Sequence, residues 1–427
     1  MARTLSIRLV KFEDGERFPF LVDAETGLPL FNPTTYLLLR SRARSKAVNT
    51  LKAELVALQA LYLWGDSANI DIDHRGECGE LLSPTEVDDL VATLKRPVSE
   101  IRDAAPPTPA RGHGKVVQLA RVAAKAKGSV KVVAPNTSAF RARVIADYLK
   151  WLSTPRRRSL SPTSAERAAI KESVEALEGE LKDAFPFKNG NKGLLDGRQG
   201  ISDEVRDRLF SVIDPNSPEN PWKRTAARER NALIVRLLYH LGMRKGELLG
   251  VKISDFDWRK NTLRITRHPD DKGDPRRNSP QTKTRARPLA LGSGLLKQVE
   301  TYVLGARRST EAAQKHGYLL VALDGKPMSQ SALDRVFKDL RKKVPDLPQD
   351  LTAHVMRHSW NDNFSAIMDE RGVDVRIEEK LRCEQMGWAD GSQMAVHYSR
   401  RHIRESAQRV SLEMQKKTVA VAKGKQN

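Results

Sequence analysis

Leu241-Gly242-Met243-Arg244-Lys245-Gly246-Glu247-Leu248 puts an arginine just past a strongly apolar helical run, Ala232 to Leu241. A turn between helices lets a side chain leave the core and face a ligand. Arginine's planar, permanently charged fork fits two phosphate oxygens. Read alone, Arg244 is also a surface arginine in a helix-helix turn, and Glu247 either pairs with it or caps the next helix. Further on, Thr352-Ala353-His354-Val355-Met356-Arg357-His358 sets a histidine and an arginine three apart, which share one helix face, with His358 directed elsewhere. Such a pair is also a familiar buried structural couple. Met386-Gly387-Trp388 offers an indole N–H at a helix end, able to donate to a phosphate oxygen or simply to pack. Tyr398, last of seven tyrosines, sits among Arg400, Arg401 and His402, neighbours that suit a surface facing a polyanion.

Between the two arginine segments, Asn261-Thr262-Leu263-Arg264-Ile265-Thr266 and Gln281-Thr282-Lys283-Thr284-Arg285-Ala286-Arg287-Pro288-Leu289 read as strands bracketing a basic β-hairpin. Lys283 falls at the start of the returning strand, where a long ammonium can reach a minor groove or protonate a leaving oxygen. Lys272, Arg285 and Arg287 compete for that place, and any of them can simply touch phosphates.

The ordered combination of two arginines, a histidine, a tryptophan and a late tyrosine resembles the tyrosine recombinase (phage integrase) family. The specific motifs cover about residues 200–405. Over 42–185 the likeness is architectural, to the family's helical core-binding domain, and residues 1–40 match nothing specific. The resemblance implies that Tyr398 attacks a DNA phosphodiester, forming a 3′-phosphotyrosine and releasing a 5′-hydroxyl. It implies that Arg244 and Arg357 hold the non-bridging oxygens as charge builds. Lys283 would protonate the 5′-oxygen, His354 would assist proton transfer with tyrosine, and Glu247 would support Arg244. Trp388 stands where the family more often has histidine, and an indole can hydrogen-bond and pack but cannot shuttle a proton. The implied reaction uses no cofactor and no metal, because the phosphotyrosyl bond keeps the energy needed for religation.

The elements that must position this set follow from periodicity and capping. Residues 1–40 read as β-rich. Residues 42–64 read as a helix with Val48, Leu51, Leu55, Leu58, Leu61 and Tyr62 on the buried side. Ser83-Pro84-Thr85-Glu86 predicts a capped helix to about Leu94, and Thr163 with Glu166 predicts a second capping box opening a helix to about Phe185. Ser138 to Leu152 reads as another helix, ended by Pro155 and Arg156-Arg157-Arg158. The expected fold is multidomain and mainly α with a small β component. It comprises an N-terminal β-rich accessory segment (1–41), a helical core DNA-binding domain (42–188), a linker (189–200), a mixed α/β catalytic domain (201–415) and a basic tail (416–427).

Lys plus Arg number 74 against 53 Asp plus Glu, a net charge of +21, so polyanions are attracted and association is salt-sensitive. Double-stranded DNA is the expected partner. Tentative DNA contacts are Lys115 and Arg121 in the acid-free stretch 104–136, Arg156, Arg157, Arg285, Arg287 and Arg400. Stretch 104–136 is also a plain solvated linker on composition. Cys78 and Cys383 make no disulfide framework, and no Cys/His cluster has zinc spacing. No run of about eighteen apolar residues predicts a membrane span. A cytoplasmic, nucleoid-associated protein of a prokaryotic host is expected, forming a homotetramer on DNA, with possible accessory recombination proteins. Two other readings share the features: a type IB topoisomerase-like nicking and rejoining enzyme, and a non-catalytic DNA-binding protein on the same fold.

Overall fold

A computed structural model describes residues 3–102, 131–186, 200–267, 271–280, 282, 284–392, 407–408 and 410–415. The basic stretch 104–130, most of the linker 189–200 and the tail 416–427 lie outside these residues, as do Lys115, Arg121, Lys283, Tyr398 and Arg400. The chain divides into two compact units on either side of residues 190 and 191. Among the described residues no helix is long and apolar enough to cross a membrane.

The first unit opens with an antiparallel hairpin, β1 (Leu5–Lys11) and β2 (Arg17–Asp23), registered from Leu5 opposite Asp23 to Lys11 opposite Arg17. The β-rich expectation holds only that far. Phe31–Tyr36 forms α1 and runs on into a π-helical stretch, Leu37–Arg42. Pro33 fits there because the first turn of a helix leaves its N–H groups unused. The long helix starts at Val48, later than its periodicity predicts, after a turn in which Ser45 takes positive φ, and α2 (Val48–Ala68) becomes the unit's axis. Leu51, Leu55, Leu58, Leu61, Tyr62 and Trp64 of α2 pack with Leu5, Phe18 and Leu21 of the hairpin, so the N-terminal strands share the helical core. Gln59 ties them further by donating to the Leu5 carbonyl at 2.8 Å.

Around α2 lie α3 (Ile72–Cys78), α4 (Pro84–Leu94), α5 (Val98–Arg102), α6 (Pro135–Leu152), α7 (Thr154–Ser159) and α8 (Ala165–Ala184). The capping box opening α4 is formed: the Ser83 N–H donates to Glu86 at 2.8 Å. The box expected at Thr163 is absent. Glu166 instead takes bonds from Arg156 at 2.6 and 2.9 Å, because a guanidinium partner competes with a single backbone N–H.

The second unit is built on α10 (Thr225–Leu241), preceded by α9 (Asp203–Ile213) and followed by the short α11 (Lys245–Gly250). A three-stranded antiparallel sheet follows in the order β3 (Phe256–Asp257), β4 (Thr262–Ile265), β5 (Arg287–Ala290). Thr262 faces Ala290 and Ile265 faces Arg287. The returning strand is described from Arg287, and the expectation that Lys283 starts it falls outside the described residues. Helices α12 (Ser293–Tyr302), α13 (Glu311–Gln314), α14 (Gln330–Lys343), α15 (Ala353–Glu370) and α16 (Val375–Met386) complete the unit. Its core joins Ile234, Leu237 and Leu238 of α10 to Val355 and Met356 of α15 and to Leu263 and Leu289 of the sheet.

Candidate active site

Helix α10 stops because Gly242 takes the left-handed conformation, φ +59°, and its N–H closes the last turn on Leu238 at 3.1 Å. A side chain is also sterically barred there: a Cβ at Gly242 would stand 2.7 Å from Met386 and 2.8 Å from the Trp360 ring. The chain then turns at once into α11, and Arg244 occupies its N-cap position, half-buried. Glu247 accepts the Arg244 N–H at 2.9 Å, closing the first turn, and its other oxygen lies 3.6 Å from Arg244 Nη1. Glu247 therefore both caps the helix and pairs with Arg244.

That carboxylate is fully buried and serves more than one partner. Arg287 reaches it through Nη2 at 3.1 Å and Nη1 at 3.3 Å, and the Thr284 hydroxyl makes a short bond to Oε1. Burial works against ionisation of Glu247. The Arg287 charge and hydrogen bond, the Thr284 bond and the Arg357 charge outweigh it, and the carboxyl sits below its ordinary range. Three guanidiniums thus face one carboxylate, leaving a surplus of positive charge where an anion would sit.

Arg357 enters from α15, 2% exposed, and donates from Nη1 to the Gly242 carbonyl at 2.6 Å. Its guanidinium lies 5.3 Å from the centre of a Trp388 ring, within cation–π range. Trp388 follows Gly387, the left-handed end of α16 at φ +65°, and the Trp388 backbone N–H donates to the Cys383 carbonyl at 2.9 Å. Gly387 has no room for a side chain: a Cβ would stand 2.7 Å from Arg287 Nη1 and 2.9 Å from the Arg285 carbonyl. The structure brings Arg244, Glu247, Arg357 and Trp388 into one cluster.

His354 is one turn before Arg357 in chain order and exposed. His358, expected to point elsewhere, meets His354 edge-on with ring centres 4.4 Å apart, the ordinary result of an i, i+4 spacing. The spacing alone carries that contact. Arg287 is a second correction. Expected to touch DNA, it is buried, paired with Glu247, and donates from Nε to the Gln385 carbonyl at 2.6 Å. On β5 the alternation turns Arg287 and Leu289 inward and Pro288 and Ala290 outward. Arg285 is exposed, and its N–H donates to the Gly387 carbonyl at 2.9 Å. Arg156 is exposed and engaged by Glu166, and Arg157 is half-buried. Thr284 is not among the expected site residues; its bond to Glu247 and the one it accepts from Arg287 Nη1 at 3.2 Å mark it.

Beneath the cluster, Arg382 and Glu378 form a buried ion pair. Arg382 also donates to the side-chain oxygen of Asn361 at 3.0 Å, and Asn361 donates to the Arg357 carbonyl at 2.8 Å. This chain of bonds fixes α16, and so Trp388, relative to Arg357.

A model described as "Phage integrase family" matches residues 215–404. The tyrosine recombinase XerD of Halalkalibacterium halodurans is 29% identical over 178 residues, 41% of this chain and 52% of that protein. The tyrosine recombinase XerA of Pyrococcus horikoshii is 30% identical over 270 residues, 62% of this chain and 80% of that protein. The chain thus spans about half the length of the first of these and four fifths of the second. A lambda integrase dimer bound to a COC′ core site aligns with 86% of this chain and 92% of that one, at 13% identity and a TM-score of 0.44.

Proposed function

Because the chain belongs to the phage integrase family of tyrosine recombinases, we propose that it is a site-specific DNA recombinase that cuts and rejoins strands through a 3′-phosphotyrosine and moves a mobile element by integration, excision or transposition. The observation that carries this reading is the convergence of Arg244 and Arg357 on the Gly242–Glu247 turn, with Trp388 alongside.

In the proposed reaction Tyr398 Oη attacks the scissile phosphorus. The Tyr–O–P bond forms and the P–O5′ bond breaks. Lys283 gives a proton to O5′, and His354 assists removal of the tyrosine proton. Arg244 and Arg357 face the non-bridging oxygens, and their preorganised forks gain most where charge is greatest, in the transition state. Glu247 would otherwise repel the phosphate; with Arg287 neutralising it, it serves instead to hold Arg244. Trp388 fills the site beside Arg357. A 5′-hydroxyl from a second strand reverses the steps, so bond energy is conserved.

Exchange between two sites requires two cut strands at each, hence a homotetramer on double-stranded DNA, with accessory proteins as a further layer in the prokaryotic cytoplasm. The helical segment 410–415 supports subunit docking, since Val410, Leu412 and Met414 are exposed on it. Arg156, Arg157, Arg285 and Arg400, with Lys115 and Arg121, are proposed backbone contacts.

The test is a nicked suicide duplex incubated with the protein and its Tyr398→Phe variant in EDTA. An SDS-resistant, protease-sensitive adduct formed by wild type alone is expected. The same adduct from the variant would displace Tyr398 as nucleophile. No adduct from either on verified binding sites would favour a DNA-binding protein without chemistry. Adduct formation without exchange between paired sites would favour a nicking and rejoining enzyme.

A further inference from the structure

Helix α16 leads into Trp388, yet few apolar side chains hold it. Among the described residues its buried positions are Glu378, Arg382, Cys383 and Met386, two of them charged. Cys383 and Met386 pack with Trp388 and Trp360 in a small cluster of their own, apart from the core built on α10. Val375, Ile377 and Leu381 are exposed. Apolar contact is non-directional, and a cluster this small sets the register of a helix poorly.

Arg382 supplies the direction. It is fully buried against α15. Its Nη1 donates to the Asn361 backbone carbonyl at 3.1 Å and to the Asn361 side-chain oxygen at 3.0 Å. Its Nη2 donates to Ser365 Oγ at 2.6 Å and pairs with Glu378. Ser365 donates in turn to Glu378 at 2.9 Å, and the guanidinium lies 4.9 Å from the Phe364 ring centre. Asn361 and Ser365 follow Arg357 at intervals of four, so they extend its face of α15. Burying this ion pair costs desolvation free energy that apolar side chains of similar volume would avoid. What it provides is a single register. A slip of one helical turn would move α16 about 5.4 Å along α15. The Trp388 ring centre stands 5.3 Å from the Arg357 guanidinium, so such a slip would end that contact.

We infer that Arg382 is a positioning residue: it sets the register of α16 on α15 and so holds Trp388 beside Arg357 in the transition state. The second half of this inference rests on the recombinase reading above. Arginine is required because its fork engages Asn361 through one nitrogen and the Ser365–Glu378 pair through another, which an ammonium does not reproduce.

The experiment uses the full chain carrying Cys78→Ser, which leaves Cys383, buried on α16 beside Arg382, as its single thiol. Three quantities are measured: denaturant unfolding, the rate at which a maleimide labels Cys383, and single-turnover cleavage of a nicked suicide duplex. The duplex is recovered from a random-sequence pool by affinity selection on the Tyr398→Phe variant. The informative variant is Arg382→Met/Glu378→Leu, because apolar residues replacing a buried ion pair commonly leave stability intact. It is expected to unfold at the wild-type denaturant concentration and to label at Cys383 about 10-fold faster, as local opening becomes easier. It is expected to cleave about 10- to 100-fold more slowly, the scale of a small misplacement. Arg382→Lys, which keeps the charge, should not restore the rate. Trp388→Phe should cost less in the double variant than in wild type, because the indole is already displaced there.

Wild-type cleavage by the stable double variant would reduce Arg382 to a fold-stabilising residue. Slow cleavage with Cys383 still protected would place the effect outside the register of α16, and full additivity with Trp388→Phe would place it outside Trp388; either overturns the inference. If wild type forms no adduct on a duplex that it binds, the recombinase reading fails. Faster labelling of the double variant then keeps the register claim, and wild-type labelling overturns it. Should the double variant unfold early, Asn361→Leu, which removes one anchor of Arg382 and leaves the ion pair, carries the same three comparisons.

Discussion

Arg357 donates to the Gly242 carbonyl at 2.6 Å across 115 residues of sequence. The acceptor lies in the turn that ends α10, two residues before Arg244. The second arginine of the site is thereby indexed to the backbone that presents the first. The spacing of two guanidiniums is then a property of one turn and one helix, and no surface loop sets it.

Replacing either arginine by lysine keeps the charge and loses the fork. Arg244→Lys and Arg357→Lys are each expected to slow adduct formation about 100- to 1,000-fold, the cost of removing one donor from a developing oxyanion. DNA affinity should change little, because many other basic residues contribute to it. Single-turnover rates measured beside equilibrium binding check this; equal losses in both would make the arginines binding residues only.

Arg287 and Arg285 stand two residues apart and should behave oppositely. Arg287→Met leaves Glu247 buried without its nearest charged partner and is expected to lower stability by about 3–5 kcal/mol, with part regained in the double variant Arg287→Met/Glu247→Gln. Arg285→Ala should leave the melting temperature alone and reduce the slope of log affinity against log salt by about 1. Denaturant unfolding and salt-dependent binding separate the two. A change of salt slope in Arg287→Met would return that residue to the DNA surface.

Gly387→Ala combines a left-handed φ with a Cβ 2.9 Å from the Arg285 backbone oxygen. The conformational cost alone is about 1–2 kcal/mol, and the carbonyl cannot move without disturbing β5. Lower stability is expected, together with a shift in Trp388 fluorescence against a tryptophan-free reference at that position. An unchanged spectrum with unchanged stability would mean that α16 and β5 separate easily.

Burial raises the Asp271 carboxyl, but the Lys252 and Tyr318 hydrogen bonds and the Gly273 N–H more than offset it and bring it from 3.8 down to about 2. A depressed carboxyl contributes stability that is full above its unfolded value and lost as pH falls through its folded one. In Lys252→Met that contribution shrinks. The gap in melting temperature between wild type and variant is therefore expected to be constant above about pH 5 and to close between about pH 4 and 2. A gap that persists at pH 2 would assign the effect to packing of the lysine stem.

Local signals in the chain determined a good deal. Apolar spacing in 48–68, the Ser83–Glu86 box and the glycine after Leu241 each act within a few residues, so helices and stops could be read where only neighbours compete. The order Arg244, His354, Arg357, Trp388, Tyr398 likewise identified a family without any geometry. Contacts between distant segments were hidden. Periodicity could not show that Arg287 turns inward to Glu247, since a basic hairpin reads as solvated until a buried carboxylate is placed under it. Glu166 abandoned its capping role because Arg156, ten residues away, arrived beside it. The bonds from Arg357 to Gly242 and from Arg276 to Leu249 and Met328 depend on carbonyl oxygens, and every residue carries one of those. Side-chain identity announces a donor, but only the folded backbone decides which acceptor it meets.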